Sequence, residues 1–398
     1  MNYRPGVRAC VGVIASVTAV VVAGRATGAV AATRSTPPEN IELTSVSCVP
    51  GDFCLAVGSY ETPSGTGGTV AEMWKGKRWV IQVTPNPKGS LLSVLSGVSC
   101  TSPTACVAVG NYTSKATTTL SFAERWNGTK WTVETTVNPK ATTQSGDDIG
   151  LSAVACTAAT SCLAVGFGGP SESGGVLTER WNGHKWTLAP TFDERDVSGL
   201  LYGVSCASDV ACSAVGAQRV SNGYFVPLAE RWNGTRWIVQ ATPLPKNAAG
   251  FTQLQSVSCS TVKSCTAVGI YENEVTNATL VERWNGSKWL LQSTARVAGT
   301  LTAGFEGVSC VGATACMAVG AYSGRTPSQS TLAEAWNGTR WFVKPTPNPK
   351  AAAGPVLYGI SCTASNACTA VGYYLGRDEW SSFAERWNGR TWKIETMA

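Results

Sequence analysis

The residues whose spacing in this 398-residue sequence could carry chemistry are cysteine, tryptophan and glutamate. Fourteen of the fifteen cysteines fall in seven pairs, each enclosing five residues: Cys48/Cys54, Cys100/Cys106, Cys156/Cys162, Cys206/Cys212, Cys259/Cys265, Cys310/Cys316 and Cys362/Cys368. Zinc pairs usually enclose about two to four residues, and the single histidine, His184, cannot complete seven sites. The spacing therefore predicts seven short disulfides in an oxidising compartment, with no metal or other cofactor. Fourteen of the fifteen tryptophans are also paired, as in Trp126/Trp131, and a glutamate stands two positions before each pair: Glu72, Glu124, Glu179, Glu230, Glu282, Glu334 and Glu385. Seven equivalent carboxylates cannot all be catalytic, so they read as structural, and so do the paired tryptophans. A functional aromatic should break the pattern. Trp380 is the one that does, and with its neighbours Arg377, Asp378 and Glu379 it forms the candidate binding group. His184, which replaces a Thr or Ser, reads as solvated surface.

Positioning these residues requires a repeated element. The first cysteines of successive pairs lie 52, 56, 50, 53, 51 and 52 residues apart, a period typical of propellers and arrays. Each unit reads as four short strands: in the second, Leu95 to Cys100, Cys106 to Tyr112, Leu120 to Trp126 and Lys130 to Thr136. Asn127-Gly128, recurring in five other units, predicts a two-residue hairpin that pairs Trp126 with Thr129 and Glu124 with Trp131. Alternation then places Phe122, Glu124 and both tryptophans on one face, meeting the next blade. A carboxylate buried there needs an indole N–H, a backbone N–H or an arginine. The arginine after the glutamate (Met73 and Ala335 in two units) points to the other face. Such a sheet buries both faces only by stacking on neighbours. The expected fold is all-β: a seven-bladed β-propeller with four antiparallel strands and one Cys–Cys bridge per blade. It would span 41–398, with blades at about 41–90, 91–145, 146–197, 198–250, 251–301, 302–353 and 354–398. The ring would close by packing alone, leaving a weak seam between its first and last blades.

Residues 1–31 read as an export signal. Arg4 and Arg8 precede an apolar run from Ala9 to Gly24, and Ala29-Val30-Ala31 offers small residues for cleavage. That run is shorter than the ~20 residues a membrane helix needs; residues 32–40 read as a linker. The mature chain is thus expected to be secreted or surface-associated, without a membrane span, and monomeric. Only 14% of residues are charged. Three units of the formal +6 belong to Arg4, Arg8 and Arg25, and the small remainder does not mark a nucleic-acid binder.

Two resemblances follow. Gly128-Thr-Lys-Trp131 shares its glycine-to-tryptophan spacing with the Asp-box hairpin of sialidase-like propellers, although Glu124 and Trp126 occupy the Asp-box serine and aspartate positions. Ala-Val-Gly-x-Tyr with a downstream tryptophan is loosely similar to kelch and galactose-oxidase blades. Sialidase-like enzymes imply an arginine triad, a tyrosine nucleophile and an acid on the central face. The copper site of galactose oxidase is incompatible with one histidine and with cysteines committed to bridges.

The leading functional expectation is an exported, non-enzymatic binding or scaffold protein whose variable loops contact a glycan or protein partner. A secreted glycosidase or lyase is the alternative. It needs acids near the central channel, for which Asp147, Asp148, Glu194, Asp196 and Glu306, read as blade-joining residues, are the candidates. A cell-surface structural component is the third reading.

Overall fold

The computed structural model describes residues 40–397 except 117, 140–147, 169–174, 190–198, 222, 325–328, 378 and 396. The signal-like segment 1–31 lies outside the described residues. Seven four-stranded antiparallel sheets each follow chain order, as in blade 2: Ser90–Ser102, Ala105–Ser114, Thr119–Trp126 and Trp131–Glu134. First strands of successive blades touch all the way round, and Ile41–Val49 of blade 1 meets Ala353–Ala364 of blade 7, which closes a seven-bladed propeller.

One disulfide joins the first and second strands of every blade, always within the pair that the spacing predicts. The first half-cystine of each bridge is half-buried. The second, in strand two, is buried in every blade: Cys54, Cys106, Cys162, Cys212, Cys265, Cys316 and Cys368. Each of these seven lies in the same apolar cluster as its blade's two tryptophans. The register explains it, since Cys106 stands directly opposite Trp126 and so shares its inward face. The second half-cystines are thus packing residues of the interblade core.

The Asn-Gly turn is wider than the sequence suggests. Trp126 pairs with Trp131, and Glu124 with Val133, around a four-residue loop. The Asn127 side chain explains the difference: its Oδ1 accepts the N–H groups of Thr129 and Lys130, each at 3.0 Å. Only Gly128 then takes a positive φ, of 92°. The shift is by two residues, so the face assignment survives. That face, however, meets the preceding blade: Trp126, Trp131, Phe122 and Leu95 pack against Leu55, Val57 and Met73 of blade 1.

Every first strand carries a β-bulge just after a buried leucine or phenylalanine, where the ladder skips one residue. The repeated glycine of the second strand makes room for it. A Cβ on Gly110 would lie 1.8 Å from the Val94 carbonyl oxygen, and one on Gly372 equally close to that of Val356. Glycine is the one residue that fits such an approach.

The first strands are also laced together. The serine before a cysteine accepts the N–H of the next blade's cysteine: Cys100 donates to Ser47, Cys259 to Ser205 and Cys310 to Ser258, each at 2.9 Å. At the seam Cys48 N–H donates to Ser361 Oγ at 2.9 Å. There Arg386 also lies 4.7 Å over the Trp74 ring and pairs with Asp52 at 2.5 Å. The expected weak seam is corrected by these contacts: it carries the same bond as other interfaces. Ala155 interrupts the lacing in blade 3, leaving Cys206 N–H without a serine acceptor.

Candidate functional site

The seven skipped residues are Thr44, Ser96, Ser152, Tyr202, Gln255, Glu306 and Tyr358, all half-buried beside fully buried neighbours. They occupy equivalent positions on the first strands, and some reach across to the next blade. Thr44 Oγ1 donates to Leu95 O at 3.0 Å, and Gln255 Nε2 donates to Glu306 Oε2 at 3.1 Å. This set is lopsided, with small hydroxyl residues on blades 1–3 and large polar or aromatic ones on blades 4–7. Burial pushes the Glu306 carboxyl up to about 7, partly opposed by the Gln255 hydrogen bond. Burial likewise raises Tyr202 to about 12.

On blade 7 this position opens a series of three aromatic rings. Tyr358 stacks on Tyr373 with ring centres 4.8 Å apart, and their hydroxyls bond at 3.0 Å. Trp380 meets Tyr373 edge-on at 5.3 Å and is 39% exposed, whereas every paired tryptophan is buried. Glu306 of blade 6 and Glu42 of blade 1 lie close enough to act electrostatically on both tyrosines. Burial is the main cause of the upward shifts of Tyr358 and Glu42, the latter reinforced by Glu61. A cavity of about 80 Å³ lies between blades 6 and 7, lined by Glu306, Tyr358, Tyr322 and Gln329. Neutral tyrosines with a stacking face, beside carboxyl groups that accept hydrogen bonds, suit a polyhydroxylated ligand.

The sequence located this sector only in part. Trp380 is the first residue of a strand, Trp380–Trp387, and its backbone N–H donates to Asn40 Oδ1 at 3.0 Å. Arg377 and Glu379 sit in the preceding turn, closed by Gly376 N–H on Glu379 O at 2.8 Å; Asp378 lies outside the described residues. Glu306 belongs to the first strand of blade 6, Thr300–Gly312, not to a blade-joining segment. Asp148 is exposed and bridges to Thr119 of blade 2; Asp147, Glu194 and Asp196 lie outside the described residues. Glu42, Tyr358 and Tyr373 were missed. Aligning the units on Val-Ser-Cys exposes the signal: the residue three positions before that valine or its substitute pairs with glycine, and the one after it varies freely.

The seven repeated glutamates are at most 2% exposed. Three of them are held by backbone or hydroxyl groups of the preceding blade, not by indoles or arginines. Glu179 Oε2 accepts Val137 N–H at 2.9 Å, Glu334 Oε2 accepts Ala295 N–H at 2.8 Å, and Glu124 Oε1 accepts the Thr69 hydroxyl at 3.2 Å. Where proline replaces the amide donor, at Pro243 and Pro347, both oxygens of Glu282 and of Glu385 lack a partner. Burial accordingly raises Glu282 and Glu385 to about 8, but Glu179 and Glu334 only to about 7. The arginines lie on the opposite face, over the next blade's tryptophan: Arg125 over Trp181 at 4.9 Å, Arg283 over Trp336 at 4.5 Å. In blade 6, where Ala335 has no charge, Lys344 reaches over Trp387 at 5.0 Å instead.

No family model and no curated protein matches the chain. Solved structures do. A GH74 xyloglucanase from Xanthomonas campestris superposes with a TM-score of 0.56 at 12% identity, covering 91% of this chain; the chain spans 55% of that enzyme's length. The fucose-binding fungal lectin of Aleuria aurantia gives 0.47 at 11% identity, over 78% of this chain and 97% of the lectin. A Hadza microbial sialidase gives 0.48 at 10% identity, over 82% and 73%. The likeness to the xyloglucanase is one of fold alone.

Proposed function

We propose that the protein is exported and binds a glycan, without turning it over, at the sector formed by Glu306, Tyr358, Tyr373, Trp380 and Glu42. One observation carries this reading: residues that break the repeat converge on blades 6, 7 and 1, and among them is the one tryptophan left half-exposed. Seven disulfides favour an oxidising, extracellular setting. A glycan array probed with the folded chain and with Trp380→Ala tests the proposal. Capture of a defined glycan, lost in the variant, is the expected result. Capture of proteins but no glycan would reassign the sector to a protein partner.

A hydrolytic reading is favoured by one feature, the Glu306 carboxyl raised to about 7 beside a cavity, where a general acid operates well. Glycoside cleavage by the pure protein, abolished by Glu306→Gln, would replace the binding reading with this one.

A further inference from the structure

A roomier cavity, of about 270 Å³, opens between blades 5 and 6. It exists because a plug is missing. In blades 1, 2 and 6 an asparagine in the link after the fourth strand caps a third-strand amide. Asn86 Oδ1 accepts Thr69 N–H at 3.0 Å, Asn138 Oδ1 accepts Ser121 N–H at 2.9 Å, and Asn348 Oδ1 accepts Thr331 N–H at 3.0 Å. The counterpart amide in blade 4 belongs to Pro227, which has no N–H to cap. In blade 5 the amide is that of Thr279 and the asparagine position is Arg296, whose guanidinium turns away to Thr300 O at 3.2 Å. Among the described links, blade 5 therefore stands apart in having an amide to satisfy and no residue to satisfy it.

The space left vacant is chemically specific. Thr279 lines it, and so does Thr300, whose buried hydroxyl has no partner. Glu334 presents its carboxyl, Oε2 being held by Ala295 N–H at 2.8 Å. Asn247 adds an amide, while Tyr271 and Leu332 supply apolar wall. Buried polar groups of this kind need a partner.

We propose that this cavity is a second binding site, taking a single neutral pyranose ring. Ring hydroxyls supply both the acceptor that the Thr279 amide needs and donors for the Glu334 carboxyl, and the C–H face rests on Tyr271 and Leu332. An anion is disfavoured because the one cation among the lining residues, Arg296, is already bonded to a carbonyl and a carboxyl group faces the space. The volume is near the lower end of small-molecule pockets, roughly 300 Å³, and suits one ring rather than a chain. This site does not depend on the reading of the blade 7 sector.

The test uses free glucose, galactose, mannose, fucose and N-acetylglucosamine as probes, with saturation-transfer NMR and calorimetry on the folded chain. At least one sugar is expected to bind. Arg296→Asn, which restores the plug used by three other blades, should abolish that binding while leaving the melting temperature unchanged or higher. Asn247→Ala should weaken it about tenfold, the effect of one lost hydrogen bond. Trp380→Ala should leave it unchanged, which separates this site from the blade 7 sector. Absence of binding for all five sugars up to roughly 10 mM, or binding that survives both Arg296→Asn and Asn247→Ala, would overturn the proposal. So would loss in Trp380→Ala.

Discussion

The layers between blades and the sector of blades 6, 7 and 1 are built from the same repeat, yet they treat it in opposite ways. Between blades, glutamate, paired tryptophan and the second-strand cysteine recur at fixed positions, all deeply buried, and part of the variation is compensated. Lys344 takes the place over Trp387 that an arginine holds elsewhere, and Thr69 donates to Glu124 where Pro85 cannot. In the sector the variable bulge column and the second-strand end carry Glu306, Tyr358 and Tyr373 without compensation. The contrast teaches that the repeat builds the ring, and that the residues free to differ from blade to blade are those its geometry leaves unconstrained.

The largest expected effect concerns the ring itself. Each seven-residue disulfide loop is worth about 2 kcal/mol in the chain-entropy model, so reduction of all seven bridges should remove cooperative melting at room temperature. Circular dichroism with and without reductant reads this out; an unchanged transition would mean the bridges are incidental. The comparison sharpens with two tryptophans. Trp237→Ala, at a residue with no exposure, should cost about 3–5 kcal/mol of stability. Trp380→Ala should cost about 1 kcal/mol, the worth of its aromatic contact, yet abolish glycan binding at the blade 7 sector. Denaturant titration and binding assays on the two variants should show this reversal.

Acidity gives a finer separation within the interblade layers. Glu282 is raised to about 8 in the folded chain, from an ordinary 4.5. Its stabilising contribution is therefore complete below about pH 4.5 and is lost as pH rises through about 8. Glu282→Gln should flatten this fall and exceed the parent in stability at pH 9 by about 2 kcal/mol. Glu179→Gln, where Val137 N–H already serves the carboxylate, should gain less; melting curves from pH 5 to 9 compare the two. The smallest effect is at the interrupted lacing. Ala155→Ser should supply an acceptor for Cys206 N–H and add about 1 kcal/mol, and Ser361→Ala should remove a similar amount at the seam.

Cysteine and tryptophan spacing was enough to read the ring, its blade number and its bridges, because those residues are held by packing that recurs in every unit. The four-residue turn was not legible, since Asn-Gly also suits a two-residue hairpin and the deciding bond comes from the Asn127 side chain. Trp380 stood out as the unpaired indole. Glu306 was noticed but misplaced, and Tyr358 was overlooked, because a bulge moves a residue off the two-residue alternation that strand reading assumes. The bulge is written instead in the second strand, as the glycine whose Cβ would strike a carbonyl.

Incorporation of 5-fluorotryptophan gives fifteen indole resonances, that of Trp380 assignable by its loss in Trp380→Phe. Fluorine NMR during titration with a glycan captured by the array should move the Trp380 line and leave the fourteen buried lines in place. A titration that shifts the buried pairs instead, or leaves Trp380 unmoved while the glycan binds, would contradict a ligand site built from the residues that break the repeat.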